Sequence, residues 1–317
     1  MNAIINDRLR GVAVGAAVGD ALGMPLEFGL ASPPERLIRT MRAGRLPPGS
    51  FTDDTEMALA LAESLLVKPN LDPDDLAHRF LDWFTRNPPD VGIHTSAVLQ
   101  RLQSGEAWQQ ATQGVQSVNP NNAGNGSVMR CWPVALICWQ DHASLIDHSR
   151  LQSQVTHAHE ECMASCAFIN VMICQLIHGQ SPHEAYHTAL AQVSLPDGLR
   201  QGILLAPRRK RDELRNTGWV RHTVESALWG LLNTNTFEDA LVQVINLGAD
   251  ADTAGAVTGA LAGATYGLEA IPLDWKNALR GEWPLTTGHT LGLSDFLELA
   301  DRLAGVHSDN PRQAISQ

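Results

Sequence analysis

The sequence GADADTAGAVTGALAGATYG, which runs from Gly248 to Gly267, places two acidic residues before a long run of small residues. Asp250 and Asp252 stand one residue apart, and the Gly, Ala and Thr residues after them predict a buried helix. Removing a carboxylate from water costs free energy unless a partner compensates its charge. Two acids at the start of such a helix therefore indicate a compensating partner.

Glycine recurs at every fourth position in this stretch and also near the N-terminus. The two series are Gly11, Gly15, Gly19 and Gly23, and Gly255, Gly259, Gly263 and Gly267. Residues four apart lie near one face of a helix, and a glycine inside a helix costs about 0.5–1 kcal/mol relative to alanine. We therefore expect two buried helices that pack unusually close to a neighbour, with each other as the candidate. A membrane dimerisation face is the alternative, but both segments are expected to be too short and too polar.

The remaining apolar residues follow helical rather than strand periodicity. Examples are the stripe Met57, Leu61 and Leu65 and the stripe Leu76, Phe80, Trp83 and Phe84. Proline and glycine separate the segments, and none of these breaks resembles a long linker. The sequence predicts an all-α fold, a single compact helical bundle over residues 1–306, with residues 307–317 as a flexible tail.

The composition excludes several classes of protein. The 317 residues are 44% hydrophobic, which supports a sizeable core, and the formal net charge is −11. An acidic chain disfavours a nucleic-acid-binding surface, which is normally basic. The five cysteines contain no CxxC pair and fit reduced thiols. With no signal-peptide pattern and no expected membrane span, we predict a soluble cytoplasmic protein with no nucleic-acid or membrane partner.

A second acidic cluster, TDDTE, begins at Thr52 and precedes another apolar helix. Acids and threonine are favourable at helix N-termini, so helix capping explains this cluster when it is taken alone. Together, Thr52-Asp53-Asp54 and Asp250-x-Asp252-Thr253 offer four carboxylates and two hydroxyls. Four carboxylates in one place require a cation, and oxygen ligands favour hard divalent ions such as Mg²⁺ or Mn²⁺. The pair of clusters predicts a metal centre.

Five motifs occur in an order that is specific as a set. They are GDALGMPLEF (19–28), TDDTEMALA (52–60), GNGSVMR (124–130), THAH (156–159) and GADADTAGAVTGALAGA (248–264). With these motifs the chain resembles the ADP-ribosylglycohydrolases, including the dinitrogenase-reductase-activating glycohydrolases, from about Leu9 to Trp275. The resemblance implies the compact all-α fold of that family, two bound divalent cations (Mg²⁺ or Mn²⁺) and hydrolysis of the bond between ADP-ribose and a protein side chain.

The resemblance also implies a set of site residues. The implied metal ligands are Thr52, Asp53, Asp54, Asp250, Asp252 and Thr253. The implied catalytic residues are Glu27, which otherwise is simply an exposed residue after a helix, and Asp90. The implied ADP-ribose contacts are Gly124, Asn125, Gly126, Ser127, Met129 and His157.

The glycines of GNGSVMR also have a physical interpretation. Gly124 and Gly126 permit positive φ, which would turn backbone N–H groups towards a diphosphate; an ordinary Asn-Gly turn is the alternative. A metal-binding pair of His157 and His159 is the alternative for THAH. Oxygen ligands elsewhere and the lack of a nearby cysteine disfavour that pair.

The expected activity is metal-dependent removal of ADP-ribose from a modified protein, most often from arginine, with ADP-ribose as the product. The ions would activate a water molecule against the anomeric carbon, and Glu27 or Asp90 would transfer the proton. The PPDVGIHT loop departs at Ile93 and His94 from the family's usual DIGNTT, so the acceptor stays open. The alternatives are serine-linked, free or nucleic-acid-linked ADP-ribose, or a non-catalytic ADP-ribose-binding protein.

Overall fold

The computed structural model describes residues 2–305 and is built almost entirely from helices. The predicted tail, residues 307–317, lies outside the described residues, and the single domain over 1–306 stays a prediction. The α-helices are α1 (Ala3–Gly23), α2 (Asp53–Val67), α3 (Pro73–Thr85), α4 (Ile93–Gln103), α5 (Trp108–Val118), α6 (Trp132–Ile137), α7 (Leu145–Gln154), α8 (Glu160–Ile177), α9 (Pro182–Gln192), α10 (Asp197–Leu205), α11 (Val220–Leu232), α12 (Phe237–Ile245), α13 (Ala251–Tyr266), α14 (Leu273–Ala278) and α15 (Leu293–Gly305). The all-α prediction is confirmed.

Two short strands, which the sequence analysis did not predict, interrupt this pattern. Strands β1 (Gly281–Glu282) and β2 (Thr290–Leu291) pair antiparallel, with Gly281 opposite Leu291. They lie between α14 and α15. Arg280, the residue before β1, forms backbone hydrogen bonds with Gly49 and Phe51, just before the acidic cluster of α2.

The two glycine series pack against each other, as the spacing predicted. A Cβ on Gly11 would meet the carbonyl of Gly263, one on Gly15 that of Gly259, and one on Gly19 that of Gly255, each far inside van der Waals contact. The residue numbers of the contacting glycines rise along α1 and fall along α13, so the two helices run antiparallel. Gly267 differs from the rest of its series, since it ends α13 as the C-cap with φ +81°. The missing side chains allow the two backbones to touch.

This close packing places the acidic clusters. The C-terminal end of α1, at Gly23, lies against Ala251 in the first turn of α13. The chain after α1 is held to the loop before α13, because the amide of Phe28 donates to the Ala249 carbonyl at 2.6 Å and the amide of Ala249 donates to Gly29 at 2.9 Å. The residues after α1 and the acids of α13 are therefore neighbours.

The core surrounds this helix pair. The predicted apolar stripes of α2 and α3 are buried, except that Phe84 is only partly buried. All five cysteines are buried free thiols, which agrees with the prediction of reduced thiols. Side chains from nearly every helix join one continuous hydrophobic cluster.

The expectation that the glycine-rich N-terminal helix is too short and polar for a membrane was wrong on length and composition. Two segments, Ala3–Leu26 and Glu160–Ile177, are long and apolar enough to cross a membrane. In each segment, 83% of the 18-residue apolar stretch is buried inside the fold. Their apolar surface is therefore used in internal packing.

Candidate active site

Most of the predicted site residues line one cavity of about 1260 Å³. Those that line it are Glu27, Asp53, Asp54, Asp90, Gly124, Asn125, Gly126, Met129, His157, Asp250, Asp252 and Thr253. The cavity extends from the acids over α4 and the end of α5, including Ile93 and Val118. Thr52 and Ser127 do not line it. The fold thus brings together motifs that are far apart in the sequence.

Thr52 is buried beneath the acids and contacts an aspartate that the sequence analysis missed. Asp20, on α1, accepts hydrogen bonds from the Thr52 amide (2.9 Å) and hydroxyl (2.9 Å), and from the Thr55 hydroxyl (2.6 Å). Burial raises the pKa of Asp20 to about 6, although these hydrogen bonds lower it. Asp20 therefore fixes the first turn of α2 to α1.

Asp53 and Asp54 begin α2, and both side chains are buried. Thr52 occupies the N-cap position but makes no capping hydrogen bond; its hydroxyl lies 3.2 Å from Asp54 Oδ2. Asp54 Oδ1 is buried and has no hydrogen-bond partner among the described residues. Burial, followed by the charges of neighbouring acids, raises the pKa of both aspartates well above the usual range. Capping alone does not explain this cluster.

Asp250 occupies the N-cap position of α13, also without a side-chain capping hydrogen bond. Its Oδ2 accepts a hydrogen bond from the Asn125 side chain at 2.8 Å, and Asn125 also donates to Thr223 at 2.9 Å. Burial and the charge of Asp252 raise the pKa of Asp250 to about 7. Asn125 thus orients an acid of α13 while lining the same cavity.

Glu27, Asp90 and Asp252 form a tight acidic cluster, which we call the acidic triad. One oxygen from each lies within 4.8 Å of the other two. The guanidinium of Arg45 enters this cluster, with Nη2 at 2.5 Å from Glu27 Oε2, at 3.2 Å from Asp252 Oδ2, and paired with Asp90. Burial and Asp252 raise the pKa of Glu27 to about 10. Arg45 comes from a loop and was missed by the sequence analysis.

These residues fit hard divalent cations. Every candidate ligand is an oxygen, and Mg²⁺ and Mn²⁺ prefer oxygen ligands. The unpartnered Asp54 Oδ1 and the raised pKa values of Asp53 and Asp250 indicate buried negative charge that Arg45 does not fully compensate. Thr52, Asp53 and Asp54 from α2, with Asp250, Asp252 and Thr253 from α13, would hold the ions.

The loop that contains GNGSVMR lies beside the acids of α13, since the Asn125 side chain donates to Asp250 Oδ2 at 2.8 Å. Neither Gly124 nor Gly126 has positive φ, so that prediction was wrong. Space around residue 126 is limited instead, because a Cβ there would lie 3.0 Å from His157 Cε1 and 3.2 Å from the Thr95 hydroxyl, and both neighbours would have to shift slightly. Within residues 2–305, the amides of Gly126 and Ser127 have no hydrogen-bond partner. Of these two residues, Gly126 lines the cavity, so its amide can donate to an anion there, whereas Ser127 is fully buried.

Ser127, His157 and His159 have different surroundings from one another. The Ser127 hydroxyl is buried in the core, where it accepts a hydrogen bond from Ser153 at 2.8 Å. His157 is buried at the cavity wall, and its Nδ1 lies 2.8 Å from the Thr156 hydroxyl. His159 caps α8 by accepting from the Glu161 amide at 3.2 Å. No described histidine belongs to a group of candidate metal ligands.

Comparison with known proteins identifies the family. The ADP-ribosylglycohydrolase model matches residues 1–313. The chain belongs to the ADP-ribosylglycohydrolase family. An ADP-ribosylglycohydrolase is a hydrolytic enzyme, so the predicted enzyme class is confirmed.

Relatives of this ADP-ribosylglycohydrolase match along most of their length. The chain is 35% identical to the ADP-ribosylarginine hydrolase Tri1 of Serratia proteamaculans, over 86% of this chain and 75% of the relative. It is 34% identical to the ADP-ribosyl-[dinitrogen reductase] glycohydrolase of Rhodospirillum rubrum, over 87% of this chain and 91% of the relative. A solved ADP-ribosylglycohydrolase-related protein complex superposes with a TM-score of 0.79 at 32% identity, covering 96% of this chain and 99% of that chain.

Proposed function

We propose that this ADP-ribosylglycohydrolase removes ADP-ribose from arginine side chains of modified proteins, with two divalent cations, Mg²⁺ or Mn²⁺, as cofactors. The observation that carries the choice of acceptor is Arg45. Its guanidinium is bound by Glu27, Asp90 and Asp252 at the acidic end of the cavity. A site that binds one guanidinium among three acidic side chains has the donor–acceptor pattern to bind another.

One of the two relatives supports the same acceptor by name, since it is an ADP-ribosylarginine hydrolase. The name of the other gives ADP-ribosylated dinitrogen reductase as its substrate, which supports a modified protein as the substrate class. A serine acceptor presents a neutral oxygen and would leave this concentration of carboxylates without a partner. The acidic triad therefore favours arginine over serine.

The cavity offers a place for each part of the substrate. The diphosphate would accept hydrogen bonds from the Gly126 amide and from His157, both of which line the cavity. The ribose next to the scissile bond would then lie over Asp53, Asp54 and Asp252. In this arrangement the anomeric carbon would lie beside Asp252, which belongs both to the proposed metal ligands and to the acidic triad.

The chemistry requires a water nucleophile and a proton for the leaving nitrogen. When bound, the cations would bind the ribose hydroxyls and make water a stronger nucleophile. Glu27 is mostly buried, and burial raises its pKa to about 10, so its carboxyl can hold a proton at neutral pH. We assign the transfer of this proton to the guanidine nitrogen to Glu27, and we assign Asp90 the role of binding the guanidinium that leaves.

The proposed acceptor is tested with matched peptides. Purified protein is incubated with arginine-ADP-ribosylated or serine-ADP-ribosylated peptide, in Mg²⁺, in Mn²⁺ or in chelator, and released ADP-ribose is measured. We expect release from the arginine peptide only, and only with metal. Faster release from the serine peptide would contradict the proposal for the acceptor, and release in chelator would contradict the proposal for the metals.

Arg45→Met should strengthen the binding of guanidinium compounds, because the variant removes an internal competitor while keeping a side chain of similar length. The ion pairs that Arg45 forms are partly exposed to solvent, since 29% of its side chain is accessible. We therefore expect the inhibition constant of an unmodified arginine peptide, the product of the reaction, to decrease roughly two- to tenfold. Arg42→Met, on an exposed residue of the same loop, is the control and should change nothing. Unchanged inhibition in Arg45→Met would show that the acceptor binds elsewhere.

A further inference from the structure

Arg130 carries a buried positive charge that the proposed mechanism does not use. Its side chain is fully buried and forms no ion pair within the described part of the chain. Its Nη2 donates to the Gln152 carbonyl at 3.0 Å and to the Thr156 hydroxyl at 2.8 Å, and its Cζ lies 4.2 Å from the centroid of the Phe80 ring. Burying a cation without a carboxylate partner costs free energy. Its contact with Thr156 connects it to the cavity wall.

The Thr156 hydroxyl lies between Arg130 and His157. A guanidinium can only donate hydrogen bonds, so Arg130 uses one lone pair of Thr156 Oγ1. The hydroxyl hydrogen can then point at His157 Nδ1, 2.8 Å away, because the hydroxyl contacts no other acceptor within residues 2–305. A His157 Nδ1 that accepts from Thr156 carries no hydrogen, so the ring hydrogen must be on Nε2.

The Nε2 atom of His157 faces the glycine-rich loop. A Cβ built on Gly126 would lie 3.1 Å from Nε2, and one built on Gly124 would lie 3.4 Å from it. The same loop contains the Gly126 amide, which lines the cavity and has no hydrogen-bond partner within residues 2–305. A hydrogen on Nε2 adds a second donor beside this amide, whereas a lone pair on Nε2 would repel an anion.

His157 carries only one ring hydrogen, so its tautomer decides what the loop presents. Burial, with the charges of His94 and Arg130, lowers the pKa of His157 well below its usual value. The neighbouring His94 ring, 4.6 Å away between centroids, is itself fixed: its Nε2 donates to the Thr156 carbonyl at 2.9 Å, and its Nδ1 accepts from Asn122 at 2.9 Å. His94 therefore supplies no hydrogen to His157.

We propose that Arg130 and Thr156 are positioning residues that hold His157 in the Nε2–H tautomer, so that it donates a hydrogen bond to the diphosphate of ADP-ribose. The role of the diphosphate rests on the proposed function. The tautomer rests on the contacts of Arg130, Thr156 and His157 alone. The two parts can therefore fail separately.

The experiment uses the full chain labelled with ¹⁵N-histidine, with variants Thr156→Val and Thr156→Ser. Valine has the shape of threonine without its hydroxyl, and serine keeps the hydroxyl. Nitrogen-15 NMR spectra at neutral pH give the tautomer of His157, and the signals of this residue are those that disappear in His157→Gln. Calorimetry gives the affinity for ADP-ribose in the presence of Mg²⁺. Thermal melting shows which variants are folded.

We expect the Nε2–H tautomer in the wild type and in Thr156→Ser. In Thr156→Val we expect a mixture of tautomers and roughly tenfold weaker ADP-ribose binding, a loss in the range for one hydrogen bond to a charged group. A wild-type His157 that is charged, or that carries its hydrogen on Nδ1, overturns the assignment even if Thr156→Val does not fold. An unchanged tautomer or affinity in folded Thr156→Val also overturns it. A wild type that binds no ADP-ribose refutes the proposed function and the diphosphate role, whereas the tautomer result stands alone.

Discussion

Asp252→Asn should reduce hydrolysis of ADP-ribosylarginine by more than roughly 100-fold, because losing even an outer partner of a metal ligand costs 10–100-fold. Asparagine keeps the volume of aspartate and an oxygen that can accept from the Thr253 amide, as Asp252 Oδ1 does at 2.9 Å. It removes the negative charge that would hold a cation. Calorimetric titration of chelator-stripped protein should show two sites for Mg²⁺ or Mn²⁺ in the wild type and weaker binding in the variant.

The same variant should fold at least as well as the wild type without metal. Burial raises the pKa of Asp252 above 3.8, so the folded state binds this proton more tightly than the unfolded state. Ionising Asp252 therefore costs stability as the pH rises above the unfolded value. The gain in melting temperature of Asp252→Asn should be largest at high pH and should vanish near pH 4.

The control for this substitution is Asp197→Asn. Asp197 also lies in the first turn of a helix, α10, but it is exposed. Since an asparagine serves nearly as well as an aspartate at a helix N-terminus, turnover and metal affinity should not change. Near-wild-type turnover in Asp252→Asn would refute the catalytic role given to the α13 acids.

The sequence was sufficient to predict the all-α fold and the close packing of the two glycine-rich helices, and it indicated that the two acidic clusters share a cation. Both rest on local signals: four-residue spacing of glycine, and paired acids before small residues. Asp20 also carried a signal, since it is a charged residue within the Gly- and Ala-rich, buried C-terminal half of α1. That signal becomes interpretable only when the packing of α1 places Thr52 and Thr55 beside it.

Other parts of the site depend on contacts that have no sequence period. Arg45 lies in an irregular loop, and only the folded chain shows that its guanidinium reaches the acidic triad. Gly126 illustrates a different limit: positive φ and lack of space for a Cβ both demand glycine, so the residue alone does not distinguish them. The buried Ser127 hydroxyl likewise belongs to a motif whose neighbouring residues line the cavity.

Gly259→Leu should prevent stable folding, because α1 and α13 touch through their backbones. A side chain at this position would meet the carbonyl of Gly15 on the other helix, far inside van der Waals contact, and a carbonyl in a buried helix cannot move aside. Overpacking in a core typically costs about 1–3 kcal/mol, and here the whole helix pair must separate, so we expect a loss of at least about 3 kcal/mol. Gly15→Leu should do the same from the opposite side. Chemical denaturation measures the loss of stability in each variant that folds. A variant that does not fold should instead give a low yield of soluble protein.

The control is a glycine whose neighbour can move. In α5, a Cβ on Gly114 would meet only the guanidinium end of Arg101, a flexible side chain. Gly114→Ala should therefore be neutral, or more stable by about 0.5–1 kcal/mol through helix propensity, whereas Gly259→Ala should destabilise. Equal stability of the two alanine variants would show that α1 and α13 have room between them. The position of Asp252 depends on the contact between α1 and α13, because Gly23 of α1 lies against Ala251, the residue before Asp252. A folded Gly259→Ala variant should therefore also bind Mg²⁺ or Mn²⁺ more weakly.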